Sequence, residues 1–276
     1  MTHMASLDRY CSHPGSFGNM CFVCGKTLEE TGVSLGYIHK VLRLNRDEIN
    51  RMCKSDMTMM ESHRKLYLVL DLDHTLLNST GINDMTRDED YLKTLTQDNS
   101  ILLFTVKSMG MMTKLRPFVR TFLKEANDMF EMYIYTMGDR RYARAMAKLL
   151  DPKGIYFSDR IISRDDCTLR DKKSLDVVLG DEEAVVIVDD SKNVWPKKHQ
   201  GNLIEIERYH FFASSCKQFT QDFNSLSEIK MDESESDGPL HTVLNVLKQT
   251  HRLYFQNTSR DVRSVLKQVQ HKTGGH

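Results

Sequence analysis

Three uninterrupted apolar runs most strongly constrain how this 276-residue chain can fold: "LYLVL" (66–70), "MYIYT" (132–136) and "AVVIV" (184–188). Continuous apolarity is typical of strands that are covered on both faces, because a strand with one face in solvent alternates apolar and polar residues. Helical patterns separate the runs, in "LRPFVRTFLKEAN" (115–127), "DRRYARAMAKLL" (139–150) and "KSLDVVLG" (173–180). This alternation predicts an α/β fold with a mostly parallel sheet and helices on both faces. Further strands are expected at 202–209 and, in a side hairpin, at 101–106.

Two segments of different character flank this core, which we predict to span 63–216. Residues 1–62 begin as an irregular Cys- and His-containing segment, and Asn45 in "RLNRDEINRM" is an N-cap candidate for a later helix. Residues 217–276 contain the acidic turn "DESESDGP" and two amphipathic helices. In the second of these, one apolar face is predicted to carry Val262, Val265, Leu266 and Val269.

The charge balance and the hydropathy exclude some classes of protein. Lys+Arg and Asp+Glu number 38 each, whereas nucleic-acid-binding domains usually have a basic excess, so we expect no direct nucleic-acid partner. Residues 1–10 lack the apolar stretch of a secretory signal, and no run is long enough to span a bilayer. We therefore expect no membrane partner.

A reactive polar side chain stands at the end of each apolar run. Asp71 and Asp73 follow the first run, Thr136 ends the second, and Asp189 and Asp190 follow the third. Since ligands bind at the carboxyl ends of parallel strands, these residues are expected to share one edge of the sheet. The first pair alone is compatible with a catalytic dyad, a structural cation site or two solvated acids. Its combination with the other two strand ends favours catalysis.

Phosphoryl transfer explains these residue types. An aspartate can attack phosphorus to form an aspartyl-phosphate, and a second carboxyl group can protonate the leaving oxygen and then activate water. Neighbouring carboxylates repel, so a hard cation such as Mg²⁺ is expected between them. Taken singly, Thr75 and Thr136 are better explained as ordinary strand ends or helix caps, and Lys173 as a surface lysine at a helix N-terminus.

The full set of motifs resembles the haloacid dehalogenase (HAD) superfamily, and within it the phosphatases of the DxDxT class that act on the C-terminal domain (CTD) of RNA polymerase II, especially those of plants. The matching stretches are "LVLDLDHTLLNST", "MTKLRPFV", "MYIYTMGDRRYA", "DPKGIYFSDRIISRDD" and "VVIVDDSKNVWP". The resemblance implies a HAD-like, Rossmannoid sheet with small insertions. It also implies a monomeric, nuclear, Mg²⁺-dependent protein serine/threonine phosphatase, with Mn²⁺ or Co²⁺ as substitute ions. Its implied partner is the phosphorylated heptad repeat of the polymerase's largest subunit.

The resemblance also implies a role for each matching residue. Asp71 corresponds to the nucleophile, and Asp73 to the general acid/base whose carbonyl holds the metal. Asp190 corresponds to a direct metal ligand, and Asp189 to a ligand acting through water. Thr75 corresponds to the hydroxyl that supports the nucleophile loop, and Thr136 to a hydroxyl that binds a phosphoryl oxygen. Lys173 corresponds to the lysine that neutralises the phosphate, with the adjacent Lys172 as an alternative. Arg164 corresponds to an arginine that contacts the substrate phosphate.

The N-terminal segment carries a candidate zinc site made of Cys11, His13, Cys21 and Cys24. A C-x-x-C pair followed by Gly25 is a common half of a tetrahedral zinc site, whereas the C-x-H spacing is shorter than usual. The alternative is a reduced loop whose cysteines are incidental.

Two departures from the resembled family are expected to matter. The stretch between "ISRDD" and "KKSL" is short, which bears on the substrate groove. The larger members carry a BRCT docking domain after the helices, which is not expected here because the chain ends at His276, and this bears on recruitment. An inactive phospho-CTD scaffold and a small-metabolite phosphatase are the competing functions. The metabolite enzymes usually carry a sizeable cap, and 84–108 has room only for a small lid.

Overall fold

A computed structural model describes residues 11–29, 32–95, 102–219, 224–257 and 260–273. The first ten residues of the predicted N-terminal segment, and Ile101 at the start of a predicted strand, lie outside the described residues. The described strands are β1 (Gly15–Phe17), β2 (Met20–Cys21), β3 (Val33–Ser34), β4 (Leu42–Leu44), β5 (Leu66–Leu70), β6 (Leu77–Gly81), β7 (Leu103–Val106), β8 (Met111–Leu115), β9 (Phe130–Tyr135), β10 (Ile161–Ile162), β11 (Val185–Asp189) and β12 (Leu203–Glu205). The α-helices are α1 (Arg46–Ser62), α2 (Leu92–Leu95), α3 (Val119–Asn127), α4 (Arg140–Leu150), α5 (Ala213–Gln218), α6 (Pro239–Gln256) and α7 (Val262–Thr273).

A five-stranded parallel sheet with the order β10-β9-β5-β11-β12 forms the centre of the fold. Every residue of β5 and β11 is buried, as the continuous apolar runs predicted for strands covered on both faces. The register aligns Leu70 with Ile134 and with Val188, so the carboxyl ends of the three central strands lie side by side. The expected side hairpin is β7–β8, which pairs with β6 in a separate antiparallel sheet.

Helix α4 begins as predicted, and Asp139 caps it by accepting a hydrogen bond from the Tyr142 backbone at 2.7 Å. The helix expected at 115–127 begins only at Val119, because Leu115 belongs to β8 and Phe118 has a left-handed φ of +67°.

The helix predicted at 173–180 is wrong: only Leu175–Val177 forms a 3₁₀ turn. The backbone N–H of Lys173 donates to Val194 O, and that of Ser174 donates to the Tyr135 hydroxyl. These tertiary bonds hold the start of the segment in a non-helical path.

The N-terminal segment is more regular than predicted. Strands β1 to β4 form an antiparallel sheet with the order β2-β1-β4-β3, and α1 follows with Asn45 as its N-cap. Strands of two or three residues are too short to show a period of two in the sequence. The segment is joined to the central domain, because Leu35 and Tyr37 belong to the same hydrophobic core as β5.

The C-terminal helices also pack into this core. Both were predicted, and the four residues assigned to the apolar face of α7 are buried: Val262, Val265, Leu266 and Val269. The predicted boundary at residue 216 falls inside α5. None of the described helices combines the length and apolarity needed to cross a bilayer.

Candidate active site

The candidate site lies where β5, β9 and β11 end. Asp71 and Asp73 leave β5 on either side of Leu72, which is fully buried and anchors the turn. The backbone N–H of Asp71 donates to Val188 O at 3.0 Å, which joins the ends of β5 and β11. Both aspartates line a cavity of about 520 Å³ together with Thr136, Asp189 and Asp190, so the structure brings the predicted strand-end residues together.

Lys173 is the cation at the centre of this carboxylate group. Its Nζ lies 2.5 Å from Asp71 Oδ1 and 2.7 Å from Asp189 Oδ2, and its side chain is only 2% exposed. Lys172, the alternative at the sequence level, is exposed. Although burial disfavours a charged amine, the two carboxylates raise the pKa of Lys173, so it remains a cation.

The two threonines hold the surrounding loops. The buried Thr75 hydroxyl lies 3.4 Å from Asp190 Oδ1 and accepts a hydrogen bond of 3.1 Å from the Asp190 backbone. Thr136 Oγ1 accepts a hydrogen bond of 2.9 Å from Gly138 N and lies 3.5 Å from Asp73 Oδ2. Thr136 therefore lines the cavity, whereas Thr75 supports the site from beneath.

Arg164 is the predicted residue that the structure does not bring into the site. Its side chain is exposed and does not line the cavity, and its backbone N–H donates to Gly138 O at 3.0 Å. It begins a short 3₁₀ turn in which Ser163 and Asp166 form a capping box.

Sequence reasoning missed three polar groups that hold the carboxylates. The Tyr142 hydroxyl donates to Asp73 Oδ1, the Trp195 indole N–H donates to Asp189 Oδ2 at 2.9 Å, and Arg208 Nε donates to Asp190 Oδ2 at 2.6 Å. The helical period could have shown that Tyr142 faces the sheet with Met146. Nothing local in the sequence marks Arg208, because it reaches this edge only through the segment that follows β12.

Burial and the mutual repulsion of the carboxylates dominate the electrostatics. Burial raises the pKa of Asp71 well above its ordinary value, and the attraction of Lys173 opposes this rise. Burial also raises the pKa of Asp73, against the hydrogen bond from Tyr142. When ionised, the three clustered carboxylates of Asp71, Asp189 and Asp190 face two fixed cations, Lys173 and Arg208, so three negative and two positive charges leave a formal excess of about one negative charge for a bound cation to neutralise.

The donor geometry fits Mg²⁺, which prefers carboxylate oxygens. One oxygen each from Asp71, Asp189 and Asp190 lies within 4.8 Å of the others. The Asp73 side chain is outside this set, so its carboxyl group is available for proton transfer. The hydroxyl of Tyr142 holds it in place by a hydrogen bond. The predicted zinc residues, Cys11, His13, Cys21 and Cys24, form a second such group in the N-terminal sheet.

A family model described as NLI interacting factor-like phosphatase matches residues 66–253, which include every residue of the candidate site. The chain belongs to this family. The match begins at the first residue of β5 and extends into α6, so it takes in the central sheet and the first C-terminal helix.

Several eukaryotic proteins are similar to this chain in sequence. The chain is 64% identical over 271 residues to the RNA polymerase II C-terminal domain phosphatase-like 4 of Arabidopsis thaliana, covering 94% of this chain and 61% of that protein. It is 40% identical to phosphatase-like 3 of the same plant, over 83% of this chain and 20% of that one. The human C-terminal domain phosphatase of RNA polymerase II is 29% identical over 74% of this chain and 22% of its own length. The chain thus spans from about a fifth to three fifths of these relatives.

Solved structures share the fold. The structure of Fcp1, described as an essential RNA polymerase II CTD phosphatase, has a TM-score of 0.62 at 22% identity, over 80% of this chain and 75% of that one. Fission yeast Fcp1 bound to beryllium fluoride gives a TM-score of 0.58 at 23% identity, over 82% and 71%. The predicted HAD-like α/β fold is confirmed, together with the predicted family.

Proposed function

We propose that the chain is a Mg²⁺-dependent protein serine/threonine phosphatase that acts on the phosphorylated heptad repeats of the RNA polymerase II largest subunit. The observation that carries the proposal is the contact of one buried lysine, Lys173, with both Asp71 and Asp189 at the ends of two parallel strands. The relatives' names add the substrate, because the two plant proteins are called RNA polymerase II C-terminal domain phosphatase-like and the human protein is called an RNA polymerase II C-terminal domain phosphatase.

Asp71 is the nucleophile in this proposal. Its carboxylate oxygen forms a bond to phosphorus as the bond from phosphorus to the serine or threonine oxygen breaks, which gives an aspartyl-phosphate. Asp73 gives its proton to the leaving oxygen, a role that suits a carboxyl group whose pKa is raised by burial. Asp73 then takes a proton from the water that releases phosphate from Asp71.

The other groups stabilise charge on the transferring phosphoryl group. Lys173 offsets the charge of Asp71, and Thr136 offers a hydroxyl at the cavity surface. When bound by Asp71, Asp190 and the Asp73 carbonyl, with Asp189 acting through water, Mg²⁺ supplies charge neutralisation to the phosphoryl oxygens. Mn²⁺ and Co²⁺ are proposed substitutes, because they accept the same oxygen donors.

The side chains that line the cavity favour a peptide over a free metabolite. Its walls place apolar side chains next to the carboxylates, among them Met111, Met137, Val194 and Phe219. Such a surface suits a peptide, whose side chains beside the phosphorylated residue can pack against it. The insertion that follows Thr75 forms the β6-β8-β7 sheet beside the cavity, and it contributes Asn78 and Ser79 of β6 and Met111 of β8 to the wall.

The deciding experiment measures phosphate release from a phosphorylated heptad peptide in the presence of Mg²⁺. Turnover that EDTA and Asp71→Asn both abolish is the expected result. An active-site preference for small phosphorylated metabolites would favour the metabolite enzyme instead. Peptide binding without turnover would favour the scaffold, and either outcome would overturn the proposal.

Three further expectations remain predictions: a nuclear location, a monomeric state and the absence of a nucleic-acid partner. Imaging of a fluorescent fusion would check the first, sedimentation the second and electrophoretic mobility shifts the third.

A further inference from the structure

Four potential metal ligands converge in the N-terminal sheet, on residues that the proposed phosphatase chemistry does not use. One atom each from Cys11, His13, Cys21 and Cys24 lies within 4.8 Å of the other three. Cys11 Sγ is 3.8 Å from Cys21 Sγ, and Cys24 Sγ is 3.4 Å from His13 Nδ1. All the cysteines are free thiols, and 3.8 Å is far longer than the S–S bond of about 2.05 Å in a disulfide.

These separations agree with the edges of a zinc tetrahedron. Bonds of about 2.3 Å to sulfur and about 2.0 Å to nitrogen place two sulfurs about 3.8 Å apart, and a sulfur and a nitrogen about 3.5 Å apart. The two measured distances of 3.8 and 3.4 Å lie within a few tenths of an ångström of these edges. The four side chains are therefore already arranged around one point.

The backbone is folded to present these ligands. The Gly25 N–H donates to Cys21 O at 2.9 Å, and Gly25 adopts a φ of +75°, so the C-x-x-C-G sequence forms a tight turn. His13 has a φ of +48°, a left-handed conformation that is uncommon outside glycine. This bend lies within the short C-x-H sequence, at the residue whose ring reaches the same point as the Cys11 sulfur.

The chemistry of the converging groups favours a bound cation. Three thiols and an imidazole meet at one point, and a divalent ion there would stabilise all three thiolates together.

We propose that Cys11, His13, Cys21 and Cys24 bind one Zn²⁺ in a closed structural site. Three thiolates and an imidazole are soft ligands that favour zinc over Mg²⁺, and four protein ligands leave no open position for catalysis. The proposal does not depend on the phosphatase activity.

The zinc would stabilise a segment with little core of its own and, through it, one wall of the active site. In the connection between β3 and β4 of the N-terminal sheet, the Gly36 carbonyl accepts a hydrogen bond of 2.7 Å from Arg140. Arg140 also pairs with Asp166 at 2.9 Å, and it begins α4, the helix that carries Tyr142 to Asp73. The metal site is thus joined to the cavity through one arginine.

The test is the metal content of the full chain, purified under reducing conditions after expression with added zinc. Mass spectrometry of the metal is expected to find about one Zn²⁺ per chain, as for a closed four-ligand site. Cys24→Ser removes one of the four ligands and should lower the Zn²⁺ affinity, measured by competition with a chromophoric chelator, by at least about tenfold, the loss that outer groups of metal sites already cause. Cys167→Ser removes a half-buried cysteine outside the cluster, and Asp190→Asn alters the acidic cluster; both should keep the zinc.

Cobalt substitution keeps the test decisive if Cys24→Ser does not fold. The wild-type chain loaded with Co²⁺ should show the strong visible bands of a tetrahedral ion and the near-ultraviolet absorption of sulfur-to-metal charge transfer. Wild-type protein that contains no stoichiometric zinc would overturn the proposal. Cobalt spectra without sulfur ligation, or unchanged zinc affinity in the folded Cys24→Ser variant, would do the same.

Discussion

Arg116 Nε lies 2.7 Å from Glu233 Oε2, and this contact ties the acidic C-terminal segment to the loop that follows the two candidate catalytic aspartates. The Arg116 side chain is fully buried. Its Nη1 also donates to Thr75 O at 3.0 Å, and its Nη2 donates to Glu207 O at 2.8 Å and to Glu233 Oε1 at 2.7 Å. Since Thr75 contacts Asp190, one guanidinium connects the C-terminal segment with the site.

Arg116→Met is expected to destabilise the whole domain. It leaves the half-buried Glu233 without its cation and three backbone carbonyls, those of His74, Thr75 and Glu207, without their donor; breaking a buried pair costs up to about 3–5 kcal/mol. Urea denaturation should show a loss of that order in the free energy of unfolding. Arg144→Met, at an exposed arginine of α4, is the control and should change it by less than about 0.5 kcal/mol. Equal effects of the two variants would contradict the assigned role of Arg116.

Lys173→Met is expected to lower kcat for the phosphorylated heptad peptide by at least about 10²-fold, the usual cost of removing one preorganised electrostatic group. The loss follows from the contacts of Lys173 with Asp71 and Asp189. Lys172→Met is the matched control, because the neighbouring lysine is exposed. Steady-state kinetics should find the control close to wild type, and a similar loss in both variants would refute the assignment.

Tyr142→Phe is expected to move the pH optimum of peptide hydrolysis to higher pH. The Tyr142 hydroxyl lowers the pKa of Asp73 through its hydrogen bond, so its removal raises that pKa further above the ordinary value. Asp73 then needs a higher pH to lose its proton when it serves as base. A pH–rate profile checks this shift. Tyr156→Phe, which lies outside the cavity, should leave the optimum in place, and an unshifted optimum in Tyr142→Phe would disprove the coupling.

Mg²⁺ is expected to raise the melting temperature of the chain, since it would neutralise the excess charge of the carboxylate group. At a hundred times its dissociation constant, an ion that binds only the folded state adds about 2.7 kcal/mol. Asp190→Asn should abolish the increase, because Asp190 is one of the three clustered donors. Asp128→Asn, at an exposed aspartate after α3, should retain it. Differential scanning fluorimetry with and without Mg²⁺ distinguishes the two, and an Mg²⁺ response that survives in Asp190→Asn would place the ion elsewhere.

The sequence was most informative where local pattern and buried environment agree. The apolar runs predicted β5, β9 and β11, and parallel topology alone then predicted that Asp71, Thr136 and Asp189 would share an edge. The choice of Lys173 over Lys172 depended on the resemblance, because two adjacent lysines differ only in the direction that their side chains take.

The remaining contacts were not predictable because they join distant segments. Arg116 and Glu233 are 117 positions apart, and neither lies in a pattern that marks a buried ion pair. The acidic turn "DESESDGP" resembles a solvated loop, yet its first residue, Asp232, pairs with the buried Lys114 at 2.6 Å. The failed helix at 173–180 has the same origin, since its backbone donors are used by tertiary partners that no local pattern reveals.

His210 should make the domain less stable in mild acid. Burial lowers its pKa to about 4, and nearby His74 and Arg208 add to the effect, whereas Asp190 acts against it. An unfolded histidine takes up its proton near pH 6.5, while the folded one stays neutral until about pH 4. The unfolded state therefore binds more protons as the pH falls through this window, and the free energy of unfolding should decrease by up to about 3 kcal/mol.

His210→Phe tests this origin by removing the titrating group while keeping a ring in the buried space beside His74 and Phe219. The variant loses the contact of His210 Nδ1 with Ser215 Oγ at 3.1 Å, so its stability at pH 7 is expected to be lower. Its stability should nevertheless change less than that of wild type between pH 6.5 and about pH 4 in urea melts. His271→Gln, at an exposed histidine of α7, should keep the wild-type slope. A His210→Phe slope equal to wild type would assign the acid sensitivity to other groups, with the carboxylates of the active site as the next to examine.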